Sequence, residues 1–223
     1  MTWSTISNSN ISFRVHQNSI FETKGSVLFT IDETNFYEIF GFVNSKVTMK
    51  SLEALSPTLD FHEGPIGKIA YKPISNNHIE KLVRQSIQLS KTDWDSFETS
   101  WDFENHPLKP ESEHLSKISD AFANWSLTSE ERFSQLKANE EELNRIFIEI
   151  YGLQNELAPE VEDKDVTVRK ADVERDVRSF LSYLVGVVFG RYRLDKPGLT
   201  FAGGEFSLDE FGPYKPDKDN IIP

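Results

Sequence analysis

Four aromatic side chains crowd into ten consecutive positions near the middle of the sequence: Trp94, Phe97, Trp101 and Phe103. Because each ring carries a large apolar area, a run this dense is a liability on an open surface. The stretch 92–110 is therefore predicted to be a belt that pins a preceding α/β segment to the helices that follow, with all four rings mostly buried. The alternative is a platform on which nucleic-acid bases stack. The surrounding acids disfavour it because they repel phosphate: Asp93, Asp95, Glu98, Asp102 and Glu104.

The composition limits the class of protein. With 223 residues, 38% of them hydrophobic, the chain can form one large domain or two small ones around a real core. It has no apolar run long enough to span a membrane, and its first ten residues lack the basic end and apolar centre of a signal peptide. The absence of cysteine excludes disulfides and thiolate metal sites. We expect a cytoplasmic location and no membrane partner.

The net charge of −12 is unevenly distributed along the chain. Residues 1–75 hold 6 Lys/Arg against 7 Asp/Glu, residues 76–165 hold 9 against 20, and residues 166–223 hold 9 against 9. A protein that binds duplex DNA normally presents a basic face. The acidic middle third is not such a face, so any contact with DNA is expected at the two ends of the chain.

Hydrophobic periodicity predicts the elements of the first half. In order they are strands at 11–16 and 26–31, a helix capped by Asp32 or Thr34 and running to Val43, a second helical stretch from 47 to 55 after a break at 44–45, a short strand or extended edge at 67–74, and a helix from Asn76 or Asn77 to about Lys91.

The second half is predicted to be mainly helical. Apolar stripes on either side of a capping box at 128–131 predict two helices packed as an antiparallel pair. After a loop at 158–171, Asp172 can cap a helix to residue 189 that is expected to be the most buried in the chain, with Gly190 as its stop. A weak strand signal follows at 199–202. The predicted class is α+β, predominantly helical, with a small N-terminal α/β segment (1–75) packed on a helical region (76–193), then an irregular tail (194–223).

Several segments together resemble one family. They are D-W-D-S-F-E-T-S-W-D-F followed by H-P-L, G-F-V-N-S-K-V at 41–47, S-P-T-L-D-F at 56–61, L-N-R-I-F-I-E-I-Y-G-L at 143–153, E-V-E-D-K-D-V-T-V-R-K-A-D at 160–172, R-S-F-L-S-Y-L-V-G-V-V-F-G-R-Y at 178–192 and A-G-G-E at 202–205. They resemble the large adenine-specific DNA methyltransferases of BREX phage-exclusion systems, the PglX family, and related restriction-modification methylases. The likeness covers nearly the whole chain in register.

The resemblance implies a parent enzyme that uses S-adenosylmethionine and acts on double-stranded DNA, either alone or fused to a restriction enzyme. In that family the chemistry resides in a Gly-containing cofactor turn and in a Pro-Pro loop that grips the flipped adenine. Neither motif occurs here: the sequence has no Pro-Pro pair, and Gly203-Gly204 is its one Gly pair. We therefore expect no catalytic, cofactor-binding or metal-binding residues, and a fragment that lies after the catalytic domain.

The resemblance also implies that 1–75 is the end of a target-recognition region and that the helical region is a spacer. The candidate DNA contacts are Arg14, Lys46, Lys50, Phe61, His62, Lys68, Arg169 and Lys170. Lys46 and Lys50 are four residues apart, so one helix face presents both. The alternative is that these are ordinary paired surface residues. A second function is a protein–protein scaffold for other phage-defence subunits, which the acidic middle favours.

The missing motifs generate a first prediction. The chain is expected not to bind S-adenosylmethionine, because it has neither the turn nor the loop that holds the cofactor and the adenine. Isothermal titration calorimetry of the chain with the cofactor should give no binding heat. A micromolar complex of one cofactor per chain would contradict the assignment.

Overall fold

The computed structural model describes residues 1–7, 11–16, 20–22, 25–109, 117–205, 207–212 and 215–216. The chain forms two compact units, each built from two stretches of sequence. Unit 1 is Met1–Gln88 with Gln135–Val166, and unit 2 is Leu89–Ser134 with Thr167–Pro223. The chain therefore passes between units three times, and these units do not follow a linear division at residues 75 and 193.

The predicted fold class, α+β and predominantly helical, is confirmed. The α-helices in the described part of the chain are α1 (Phe36–Val43), α2 (Lys46–Leu55), α3 (Glu63–Ile66), α4 (Asn77–Asp95), α5 (Ile118–Tyr151) and α6 (Val173–Val188). Short 3-10 turns lie at Glu33–Asn35, Asp163–Asp165 and Leu208–Phe211. Two short antiparallel strands, β1 (Tyr192–Arg193) and β2 (Lys196–Leu199), form a hairpin. No helix in the described ranges combines the length and apolar character that crossing a bilayer needs.

The N-terminal segment of unit 1 forms no regular ladder in the ranges that the structure describes, where its residues pair at isolated positions. Thr2 bridges to Arg14 and to Val27, so the strands predicted at 11–16 and 26–31 are wrong in extent. The rings of Trp3 and Phe13 are buried in the helical core, 5.2 Å apart. Packing of side chains into the core thus holds this segment, in place of the regular strand pairing that was predicted.

Side-chain caps define the first helices of unit 1. Asp32 accepts a hydrogen bond from the Thr34 amide (2.9 Å) and so caps the 3-10 turn Glu33–Asn35, whereas α1 itself begins after Asn35, which makes no side-chain capping bond. Ser45 caps α2, and the break predicted at 44–45 is confirmed. The strand alternative at 67–74 is wrong, because a side chain satisfies part of this backbone, and the extended-edge alternative stays a prediction. The Tyr151 hydroxyl accepts from the Lys72 amide and donates to the Ala70 carbonyl, both at 2.8 Å.

Helix α5 is continuous over 34 residues, so the predicted antiparallel helix pair is wrong. The sequence from 118 to 151 contains neither Gly nor Pro, and the predicted capping box lies inside the helix. The Ser129 hydroxyl donates to the Ser126 carbonyl (3.1 Å) and accepts from the Ala171 amide (3.1 Å). It is therefore engaged by the helix and a tertiary partner, not by a new helix start. Gly152, at φ +68°, ends the helix.

The aromatic belt belongs entirely to unit 2 and only half of it is buried. Phe97 and Phe103 lie in an apolar cluster with Leu108, Trp125, Phe180, Tyr183 and Tyr192. Trp94 and Trp101 are 55% and 98% exposed, so the prediction that all four rings are mostly buried is wrong. The backbone turns between the rings, so neighbouring aromatics point in opposite directions.

Helix α6 begins at the predicted cap and ends near the predicted stop. The Asp172 side chain accepts from the Arg175 amide (2.7 Å), and Gly190 follows the helix at φ +78°. It is nevertheless not buried on most of its surface, because only one face turns inward, while Leu181 and Val185 are exposed. The weak strand signal at 199–202 overlaps the hairpin only at Leu199, which pairs with Tyr192.

The two kinds of belt residue should differ in their effect on stability. Phe103→Ala is expected to lower the free energy of unfolding by about 3–5 kcal/mol, because it leaves a cavity beside Tyr183 and Tyr192. Trp101→Ala is expected to change it by less than about 0.5 kcal/mol, because the ring is in solvent. Urea denaturation of both variants checks this, and equal losses would contradict the structure.

Candidate nucleic-acid interface

The two lysines of α2 are engaged within unit 1. The Lys46 ammonium donates to the Glu160 carbonyl, and its amide donates to Asn144 Oδ1 (2.9 Å). Lys50 pairs with Glu53 at 2.8 Å on the same helix, and that contact raises the pKa of Lys50. A phosphate would have to compete with these partners, so the spacing of four residues does not by itself make α2 a phosphate-binding face.

Arg14 and Lys68 are the candidates of unit 1 whose charge is least engaged. Both side chains are exposed. Arg14 donates to the Ser4 hydroxyl at 3.4 Å, a long hydrogen bond. Among the described residues, no carboxylate forms an ion pair with either side chain. These two cations can approach a phosphate without first leaving an acid.

The loop between α2 and α3 holds Phe61 and His62 in different environments. Phe61 is half-buried against the core of unit 1, its amide donates to the Thr5 carbonyl (2.6 Å), and its carbonyl accepts from Trp3 Nε1 (2.8 Å). This ring therefore packs the protein. His62 is exposed and its Nε2 lies 2.9 Å from Asp60 Oδ2. The segment 1–7 also pairs with Arg14, so Arg14 and this loop share one support.

Arg169 and Lys170, both in unit 2, are each paired with an acid and an aromatic ring. Arg169 Nε lies 3.2 Å from Asp93 Oδ2, and its guanidinium lies 3.8 Å from the Phe97 ring centroid. Lys170 pairs with Glu130 at 3.0 Å and lies over the Phe133 ring. Both side chains are therefore already engaged by partners within unit 2, as in cations that stabilise a fold.

A buried charge network in unit 2 was missed from the sequence. Asp93 is buried between Arg169 and Arg132, whose Nη1 lies 3.7 Å from Asp93 Oδ1. Burial lowers the pKa of Arg132, while the nearby Asp93 charge opposes that change. The signal in the sequence was weak, because Asp93 reads as one of many acids around the belt.

The second buried carboxylate of the network is Asp176, on α6. It accepts from Trp125 Nε1 (2.8 Å), Arg175 Nε (2.7 Å) and the Asp172 amide (3.0 Å). Burial by itself raises the pKa of this acid, but the hydrogen bonds outweigh burial and hold the pKa below its usual range. Spacing could have found it, since residues 176, 180 and 183 share the inward face of α6.

Each unit has more acidic than basic residues. Unit 1 holds 11 Lys/Arg against 17 Asp/Glu and unit 2 holds 13 against 19, so each has a formal net charge of −6. Neither unit has the excess of cations that a broad phosphate-binding face needs. Any DNA contact is confined to a few side chains.

No protein-family model matches the chain. The whole chain is 43% identical over 229 residues to the adenine-specific methyltransferase PglX of Lacticaseibacillus casei (strain Zhang). It is 31% identical over 250 residues to the adenine-specific methyltransferase BrxX of Escherichia coli O9:H4 (strain HS). The chain is similar, end to end, to a segment of PglX-type proteins. The resemblance inferred from the sequence is confirmed, and the chain spans about a fifth of the length of these relatives, 19% and 20%.

The H-P-L motif of the chain begins with a buried histidine. His106 Nδ1 accepts from the Leu108 amide (3.1 Å), and its ring packs among Phe97, Phe180 and Tyr183. Burial lowers the pKa of His106 from 6.5 to about 4. The imidazole is therefore neutral in the folded protein and acts as a core side chain.

This histidine makes stability depend on pH. Below pH 6.5 the unfolded chain binds a proton at residue 106, whereas the folded chain does not until about pH 4. The free energy of unfolding should therefore fall as the pH decreases from 6.5 to 4, by up to about 3 kcal/mol from this residue. Urea denaturation across that range should show a smaller fall in His106→Gln than in the control His16→Gln, which replaces an exposed histidine. Equal slopes would contradict the assignment.

Proposed function

We propose that this chain is the non-catalytic target-recognition and spacer portion of a site-specific adenine DNA methyltransferase of a phage-defence or restriction-modification system. The observation that carries the proposal is the end-to-end similarity to two relatives named adenine-specific methyltransferases, of which the chain spans about a fifth. The missing Gly-turn and Pro-Pro motifs support a non-catalytic role. In this proposal S-adenosylmethionine binds elsewhere in the parent enzyme, which acts on double-stranded DNA in the cytoplasm.

The DNA contact is assigned to unit 1, through Arg14 and Lys68. These side chains are exposed and have no described acid partner, whereas Lys46, Lys50, Arg169 and Lys170 have internal ones. His62 is exposed in the loop that pairs with segment 1–7, the segment that also pairs with Arg14. From this position it can approach a groove edge. Contacts of this kind fix the register of a protein on the phosphate backbone, and they carry no sequence information directly.

The spacer role is assigned to the helices. Helix α5 has 34 residues, so it extends roughly 51 Å at the usual rise per residue. It contains neither Gly nor Pro, and its buried residues lie along its length. A helix of this kind holds a fixed length, which suits a segment that sets a distance.

A salt titration tests the DNA contact. Arg14→Glu with Lys68→Glu should weaken binding of this chain to a fluorescein-labelled duplex and reduce the slope of log affinity against log salt by about two. The control is Lys164→Glu, an exposed lysine of unit 1 that already pairs with Glu162. Fluorescence anisotropy is the measurement. An unchanged affinity and slope in the double variant would remove the recognition role.

The second candidate function is a scaffold that docks the methyltransferase to other phage-defence subunits. The observation that favours it is the net charge of −6 on each unit, which opposes a polyanion and suits a basic protein. Loss of the recognition role in the salt titration would leave this function as the better one.

A further inference from the structure

Two indole rings of unit 2 stand in solvent, Trp94 at 55% and Trp101 at 98% exposure. Tryptophan is among the side chains most enriched at binding hot spots, and a nearly bare indole on a folded surface is unusual. We propose that the Trp94–Trp101 surface, defined as Trp94, Asp95, Glu98, Trp101 and Asp102, docks a basic protein partner that presents arginine side chains. The proposal goes beyond the DNA contact above and uses none of its residues.

The turn that carries Trp101 is held in place by its own hydrogen bonds. The Ser100 hydroxyl donates to Asp95 Oδ1 (2.6 Å) and accepts from the Asp102 amide (3.1 Å). Lys91 pairs with Asp95 (2.6 Å) and with Asp102 (2.5 Å). These contacts fold the turn back onto the last turn of α4, which carries Trp94.

Both ends of this turn are anchored in the core of unit 2. Phe97 is buried beside Trp125, with ring centroids 6.2 Å apart, and Phe103 is buried beside Tyr183 at 5.8 Å. Trp101 is therefore exposed on a turn that the core of unit 2 holds in place. A ring presented in this way loses little conformational freedom when a partner covers it.

The charge around the indoles decides the chemistry of the partner. The stretch 92–108 contains five acids and no Lys or Arg, and Lys91, which pairs with both Asp95 and Asp102, leaves the Trp94–Trp101 surface with three acids against one lysine. Asp93 is compensated inside the protein by Arg132 and Arg169, but the Asp102 side chain is 68% exposed and Glu104 is exposed. Acids beside indole faces attract guanidinium groups by ion pairing and by cation–π contact. The same acids repel the phosphates of single-stranded nucleic acid, which also stacks on aromatics.

Binding of a fluorescein-labelled octa-arginine peptide to the chain, followed by anisotropy, tests the proposal. Trp101→Ala should weaken binding by about tenfold, because it removes the cation–π face and its apolar area. Asp102→Asn should weaken it less and should reduce its salt dependence. The control is Phe29→Ala, which removes an exposed aromatic ring of unit 1 and should leave the affinity unchanged. Urea denaturation confirms that Trp101→Ala is folded.

Other ligands of the Trp94–Trp101 surface would give different experimental results. If Trp101→Ala binds octa-arginine as tightly as the unaltered chain, attraction is general and the proposal is wrong. It is also wrong if the unaltered chain does not bind the peptide, if Trp101→Ala instead abolishes binding of a twenty-nucleotide oligo(dT), or if it abolishes a dimer seen by sedimentation. The Arg14→Glu/Lys68→Glu variant should bind the peptide normally, so failure of the DNA contact is distinguishable.

Discussion

The packing of unit 2 depends on two carboxylates that are buried with their counter-charges. An ionised acid taken out of water costs several kcal/mol unless cations and hydrogen-bond donors surround it. Asp93 is held by Arg132 and Arg169, and Asp176 accepts from Trp125. These contacts connect the end of α4, the first half of α5 and the start of α6. Removing one partner would leave an uncompensated buried charge beside the aromatic cluster and would destabilise unit 2.

The candidate site shows how far residue type alone predicts function. Exposed cations could be named from the sequence, but whether a cation is free depends on partners that are distant in sequence. Lys46 meets the carbonyl of Glu160, and Arg169 meets Asp93, and neither separation has a local signature. Arg14 and Lys68 stay exposed, and the proposed DNA contact therefore narrows to them.

Local signals predicted much of the fold. Helix starts at Asp172 and after Ser45 follow from capping chemistry, which needs only neighbouring residues. The errors arose where tertiary contacts override a local pattern. Ser129 resembles a cap but binds the Ala171 amide, so α5 continues through it. The predicted N-terminal strands shorten to bridges because the ring of Trp3 packs into the helical core.

The acidic stretch 92–108 supplies two buried aromatic anchors and two exposed indoles at once. Fluorine NMR of the chain labelled with 5-fluorotryptophan tests it most directly, because the four tryptophans are two buried, Trp3 and Trp125, and two exposed, Trp94 and Trp101. Single Trp→Phe variants assign the signals. We expect a soluble paramagnetic agent to broaden the signals of Trp94 and Trp101 strongly and to spare the other two. A Trp101 signal that the agent does not broaden would contradict this exposed position of the ring.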